Sequence, residues 1–386
     1  TAATVFSESP NGIVLVGQGV LRSPGAFETV LNVFDLLLLT GKLNQEGSGL
    51  AVLTEENNEQ GALEMGVVSE YLPGSSDRIN NTEKQEAQMQ WGSESVADIG
   101  LRLPEMIEAA RDGRVRAMYI VGENPIESLP PAAKVRDALG HLDFIICHEL
   151  FMTETAKCAD IIFPVCSYFE KDGSFINSEG VVQKVRRALD PIGESQSDWV
   201  VLAQLSSFMH VPMEYSLVTD IQDEISRFRD SSRKAARPDR KVFDRYIEYE
   251  ASNPKVDCRY VVEKPKTSDT RPLILTVGQS LFHSGKMSTF SQGLQAIQAT
   301  GVLMIHPDDG EKYGVMDGSL VKMESDHGEA VIPVTFNERY PQGTAFFPEH
   351  FSEAIGEVLS MTIDPVTSVP YFGSAYISIT SADSGD

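Results

Sequence analysis

His148 and Glu149 stand at the end of an apolar run, residues 144–147, and Glu170, Lys171 and Asp172 follow a second run, residues 161–164. Asn177 and Glu179 come next, beside Gly180. Charged and amide side chains at the ends of buried strands are where open α/β sheets hold ligands. A second group lies far along the chain: His283, Ser284, Gly285, Lys286, Met287 and Ser288. Its hydroxyls, its ammonium and the backbone N–H groups near Gly285 suit phosphates. Taken alone, His283 reads as a surface or packing histidine rather than a ligand. The four cysteines, Cys147, Cys158, Cys166 and Cys258, make no C-x-x-C pair, which argues against an iron–sulfur or zinc site in this chain. Neither a Ser-His-Asp arrangement nor G-x-x-x-x-G-K-[ST] is present.

The elements that must position these groups follow from pattern. Residues 12–19 read as a strand closing in Gly17-Gln18-Gly19, and residues 24–39 as an amphipathic helix stopped by Gly41. Strand, glycine turn and helix can cradle a phosphate, but the third glycine of a dinucleotide fingerprint is missing; tight helix–strand packing is the other reading. Residues 75–90 are polar and read as a surface loop. A helix at 104–111, a strand at 116–121 ending in Gly122-Glu123-Asn124-Pro125, and a helix at 134–139 lead into the 144–147 strand. Asp198 reads as the N-cap of a further helix. Residues 215–241 are charged and mostly helical; their basic cluster, 233–240, reads as a solvated face or a dock for an acidic partner.

Residues 263–272, rich in Pro, Lys and Thr, read as a linker. Beyond it, short strands at 273–277, 303–305, 319–324, 330–336, 344–347 and 375–379 are punctuated by glycines, the pattern of a small β-barrel or sandwich. The expected fold is therefore α/β: a doubly wound, mostly parallel sheet domain over residues 1–262, the linker, and a small β-barrel-like domain over 273–386.

A chain of 386 residues exceeds one ordinary core. Its net charge of −24 disfavours nucleic acid as a partner. No apolar run approaches a membrane span, and the start, Thr1-Ala2-Ala3, has no basic region of a signal peptide. The missing initiator Met points to a processed or truncated chain.

Five motifs carry a resemblance. They are T-x-T-A-x-x-A-D-I-x-x-P from Thr153, E-K-x-G-x-x-x-N-x-E-G-x-x-Q from Glu170, and N-N-x-Q-G-A-x-x-M-G from Asn57. The others are G-E-N-P from Gly122 and G-E-x-x-x-D-W-x-x-L-x-x-L from Gly193. Together with P-x-D-x-x-x-x-G-x-x-D-G-x-x-V from Pro307, they make nearly the whole chain similar to the molybdopterin oxidoreductase superfamily. That superfamily includes formate dehydrogenases, periplasmic nitrate reductases and the large iron–sulfur subunit of NADH–quinone oxidoreductase. The resemblance is to its C-terminal half, and the E-K-D-G form of the central motif resembles the NADH–quinone oxidoreductase branch most.

The resemblance implies cofactor contacts at Asn124, Glu149 and Thr153, and on His283, Ser284, Gly285, Lys286 and Ser288. It implies no catalytic and no metal-binding residue in this chain. Several anchors of cofactor-binding relatives are altered. The Arg-Gly-Gln before Asn57 is Thr54-Glu55-Glu56, and an Asn and a Lys near the end are Gly356 and Gly373. The implied role is thus a scaffold beside an electron-transfer chain, with a vestigial cleft between the domains and no cofactor of its own. Iron–sulfur clusters would belong to an N-terminal portion, and the partners would be other subunits of a redox complex. The place would be cytoplasmic, or peripheral to the inner face of the cell membrane through those subunits. The alternative is the C-terminal half of a formate-dehydrogenase-like molybdoenzyme holding molybdopterin guanine dinucleotide.

Overall fold

The computed structural model describes residues 1–73 except 22, 24, 44 and 55, and residues 81–92, 99–233, 270–363, 370–372 and 375–382. The basic cluster beyond Arg233, most of the 263–272 linker, Glu55, Gly373 and Cys258 therefore lie outside the described residues.

In the first part of the chain the parallel strands form two sheets. β1 (Ile13–Gly17) pairs in parallel with β2 (Gly49–Leu53), with the helix Ala26–Leu39 between them. β3 (Ala117–Val121), β4 (Phe144–Glu149) and β5 (Ile161–Pro164) form a second, all-parallel sheet in that order. Each parallel step needs a crossover, and the helix Ala132–Leu139 makes the one from β3 to β4. Alternation along the strands decides what is covered. Ile120, Ile145 and Cys147 point to one face, where Ile107 and Ala110 of the helix Leu103–Arg111 join Val135, Ala138 and Leu139 in one core. On the other face Tyr119, Val121, Phe144 and Ile161 stay 38–46% exposed.

An antiparallel hairpin, β6 (Gly173–Ile176) with β7 (Val182–Val185), occupies the centre of the E-K-x-G motif. Its turn is built on Asn177, whose Oδ1 accepts the amides of Glu179 and Val181 at 3.1 and 2.9 Å. The helix Asp198–Phe208 follows; its first residue is Asp198, and Ser197 holds the cap position expected of Asp198. Of the polar stretch 75–90 read as a loop, residues 75–80 lie outside the described residues and the rest belongs to a helix from Asn81 to Trp91. It has no apolar face, so periodicity could not reveal it.

The later strands close on themselves. β8 (Leu273–Gly278), β9 (Leu303–Ile305), β10 (Leu320–Glu324), β11 (Glu329–Phe336) and β12 (Thr344–Pro348) precede the short pair β13 (Met361–Ile363) and β14 (Pro370–Phe372). With β15 (Ala375–Ser381), the barrel runs β10-β11-β9-β12-β8-β15 and back to β10. Every second residue points inward, so Leu273, Leu275, Met323, Val334, Phe347 and Ile377 fill it. No strand from β8 onward pairs with the earlier sheets among the described residues. Among the described residues, no helix is long and apolar enough to cross a membrane.

Candidate functional site

The turn after β3 and the loop after β8 meet. Asn124 precedes a one-turn helix, Pro125–Ser128, whose start is fixed by Pro125. Asn124 Oδ1 accepts the Thr155 hydroxyl at 2.6 Å and the Thr155 amide at 3.2 Å, tying the β3 turn to the segment after β4. Asn124 Nδ2 donates to Glu127 at 2.5 Å. Glu127 in turn contacts the ammonium of Lys286, from the loop after β8, and Lys286 also contacts Glu353. Beside this clamp the rings of Phe151 and Phe290 stack with centroids 3.9 Å apart. Gly356 O accepts the Ala132 amide at 3.3 Å, and Glu357 accepts that of Ala133 at 3.2 Å.

The residues singled out from the sequence have these places. Thr153 Oγ1 accepts the Ala156 amide at 3.1 Å, at the start of a short 3-10 turn whose cap position is Thr155. Glu149 accepts the Leu150 amide at 2.8 Å. Burial lifts its carboxyl above the ordinary range, the amides of Leu150 and Phe151 oppose this, and the carboxylates of Glu123 and Asp198 reinforce it. His283 is 4% exposed, with Nε2 3.0 Å from Gln298 O and Nδ1 3.0 Å from Ser288 Oγ. It behaves as a packing histidine. Ser288 Oγ also accepts the Ser284 amide and donates to Gly285 O, so the loop is closed on itself. Gly285 has φ +67°, a conformation only glycine adopts freely. Lys286 alone of this loop's polar side chains reaches the facing segment. Glu127 is held protonated to higher pH by burial first and the Glu353 carboxyl second, against Lys286.

Other readings are corrected or refined. At Gly17 and Gly19 an added Cβ would meet nothing within 4 Å, so tight packing does not explain these glycines. β1 runs straight into a one-turn helix, Gln18–Leu21. Of the three described cysteines, Cys147 and Cys166 are buried but Cys158 is exposed. Burial, and then Glu149, push the Cys147 thiol up to about 11. Glu56 is exposed, while Asn58 of the same motif reaches β6 and accepts the Ile176 amide at 2.9 Å. An added Cβ at Gly61 would lie 2.1 Å from Asn58 Oδ1, so that glycine makes room for the contact. Among the described residues, no three His, Cys, Asp or Glu groups are arranged to hold a metal.

One constellation escaped sequence reading: Tyr119, His148, Asp198 and Lys171 are joined in a chain of hydrogen bonds. Its linked pairs lie 27 to 50 positions apart along the chain, and no local pattern connects them.

Comparison with known proteins agrees with the fold. The molybdopterin oxidoreductase family matches residues 1–208, and the molybdopterin dinucleotide-binding domain matches residues 273–376. The chain is 30% identical over 395 residues to an F420-dependent formate dehydrogenase subunit alpha of Methanocaldococcus jannaschii, covering 96% of this chain and 58% of that one. It is 28% identical over 349 residues to a G-type NADH-quinone oxidoreductase subunit of Rhizobium meliloti, covering 90% and 40%. The chain thus spans little more than half, or less, of these curated relatives. Acetylene hydratase from Pelobacter acetylenicus shares the fold, with a TM-score of 0.69 at 16% identity over 99% of this chain and 62% of that one.

Proposed function

This chain belongs to the molybdopterin oxidoreductase family, and from that premise we propose that it is the C-terminal portion of a large redox subunit of the NADH–quinone oxidoreductase kind. In this reading residues 1–262 and 273–386 act as two domains of a scaffold, clusters in an N-terminal portion of the subunit carry the electrons, and the partners are other subunits of a redox complex. The subunit sits in the cytoplasm or at the inner face of the membrane through those partners. The observation that carries the proposal is the placement of Lys286. A lysine facing a dinucleotide would neutralise phosphate; here its ammonium is neutralised by Glu127 and Glu353.

The rest of the wall also fits an anionic dinucleotide poorly. Asn124 has both ends of its amide engaged, and Glu149 and Glu123 add carboxylates at the strand ends. Two unit charges about 4 Å apart interact by about 4 kcal/mol at an effective dielectric near 20. Gly356, where relatives carry an Asn, packs on Ala132; an added Cβ would stand 3.2 Å from that of Ala132. An Asn there has little room.

A second reading rests on the match of residues 273–376 to the dinucleotide-binding domain and on the formate dehydrogenase relative. In it the chain is half of a molybdoenzyme whose clamp opens to admit the cofactor. Oxidative release and fluorescence assay of pterin from the native protein separates the two. Absence of stoichiometric pterin supports the scaffold. Pterin and guanine nucleotide in stoichiometric amounts establish the molybdoenzyme.

A further inference from the structure

The hairpin of β6 and β7 leaves one side open. The Asn177 amide donates to Val181 O at 3.2 Å across its turn, and antiparallel bonding alternates from there. Val181, Gln183 and Val185 therefore bond towards β6, while the N–H and C=O groups of Val182 and Lys184 face outward. Among the described residues no strand pairs with that side of β7. All of β7 but Val185 is exposed. A two-stranded hairpin alone is marginally stable in water, and a third strand is what it lacks.

Charge selects what that strand can be. Side chains two apart share a face of a strand, which sets Val182, Lys184 and Arg186 together. Lys184 and Arg186 are exposed, and among the described residues neither has an acidic partner. The cations beside them differ: Lys171 Nζ lies 2.6 Å from Asp198, and Arg187 lies 3.4 Å from Asp190. Edge lysines bar apolar and basic strands from pairing, whereas opposite charges facing each other across a ladder favour it. Apolar ground borders the edge. Val181, Val182, Leu189 and the ring pair Tyr168–Phe169, centroids 4.3 Å apart, are 45–59% exposed. The Leu189 amide donates to Phe169 O at 2.9 Å and holds that cluster at the base of the hairpin.

We propose that β7 is a docking edge for an extended acidic segment of a partner protein, which adds an antiparallel third strand with its carboxylates opposite Lys184 and Arg186. Strand addition takes affinity from main-chain bonds and specificity from alternate side chains. The chain's charge of −24 does not forbid it, because charges beyond about 8 Å are largely screened at physiological salt. An anionic membrane would answer the two cations and leave the strand edge unused. None of these residues belongs to the Lys286 clamp, so this inference and the scaffold reading can fail separately.

The test titrates end-capped peptides into the protein by calorimetry. The acidic probe is Thr-Val-Glu-Val-Glu-Val-Thr, and its twin carries lysine in place of both glutamates. The acidic peptide is expected to bind about ten-fold tighter than the twin, although the field of the whole chain favours the twin. Methylating the backbone nitrogens of its glutamates, which would face Lys184 and Arg186 in the ladder, should abolish binding with no change of charge. Lys184→Glu combined with Arg186→Glu should reverse the preference. Equal affinity of the twins, a preference that survives the double substitution, undiminished binding of the methylated peptide, or binding to phosphatidylserine vesicles in place of any peptide overturns the proposal. Circular dichroism checks that the variant folds. If it does not, Lys184→Gln combined with Arg186→Gln should remove the preference, and the three peptides on the unaltered protein still decide.

Discussion

The ring of Phe151, just after β4, lies flat on that of Phe290, after β8, with planes 4° apart. Stacked aromatic pairs contribute about 0.5–1.5 kcal/mol beyond their buried area. Both rings are partly exposed, so Phe290→Ala should lower unfolding free energy by roughly 1–2 kcal/mol. Hydrogen exchange is the more specific measurement: amides around the Lys286 loop should exchange faster, while those of β10 and β11 should not change.

The clamp on Lys286 predicts a pH dependence. Glu127 is raised in the fold, so the folded state keeps its proton to higher pH than the unfolded chain. Its contribution is complete below the ordinary glutamate value and is lost as pH rises through the raised one. Denaturant unfolding followed upward in pH from the ordinary glutamate range should show stability falling, and Glu127→Gln should flatten the fall. Glu149 is raised too and leaves a residual slope. Lys286→Met should steepen the fall. Its cost at neutral pH should be about 1–2 kcal/mol, below that of a fully buried pair, because the lysine side chain is 34% exposed.

Gly310 in the helix Pro307–Tyr313 is a matter of space. A Cβ there would lie 2.1 Å from Cζ of Phe336, on β11. Gly310→Ala should therefore destabilise the barrel by about 1–3 kcal/mol, read as a lowered melting temperature. Gly314→Ala, at φ +66° but with nothing within 4 Å of its Cβ, tests backbone strain alone.

Asn58 should matter more than the exposed carboxylates around it. Asn58→Ala leaves the Ile176 amide without its acceptor, a loss of about 1–3 kcal/mol. Glu56→Gln should have little effect on the same unfolding curve.

Where a signal is local, the sequence held it. The expected strand at 303–305 is β9, and those at 273–277 and 344–347 are β8 and β12 to within one residue, because inward alternation and bounding turns sit in adjacent positions. The meeting of Asn124 with Lys286 through Glu127 was legible only in outline, as two turns facing one cleft. That Glu127 would take the lysine depends on packing between segments more than 150 residues apart, and the contact to Glu353 spans 67. His148 illustrates the limit best. By sequence it is a polar residue at a strand end; its role comes from Tyr119 and Asp198, neither of which is near it along the chain.

The closure of the barrel has a consequence for self-association. With β10 paired to β15 on one side and β11 on the other, the barrel's ring of ladders leaves no strand edge to template a foreign chain. β3, by contrast, is paired only to β4 among the described strands. Of these two sheets it is therefore the one ending in β3 that can extend edge to edge, and a charged residue placed on β3 would blunt it.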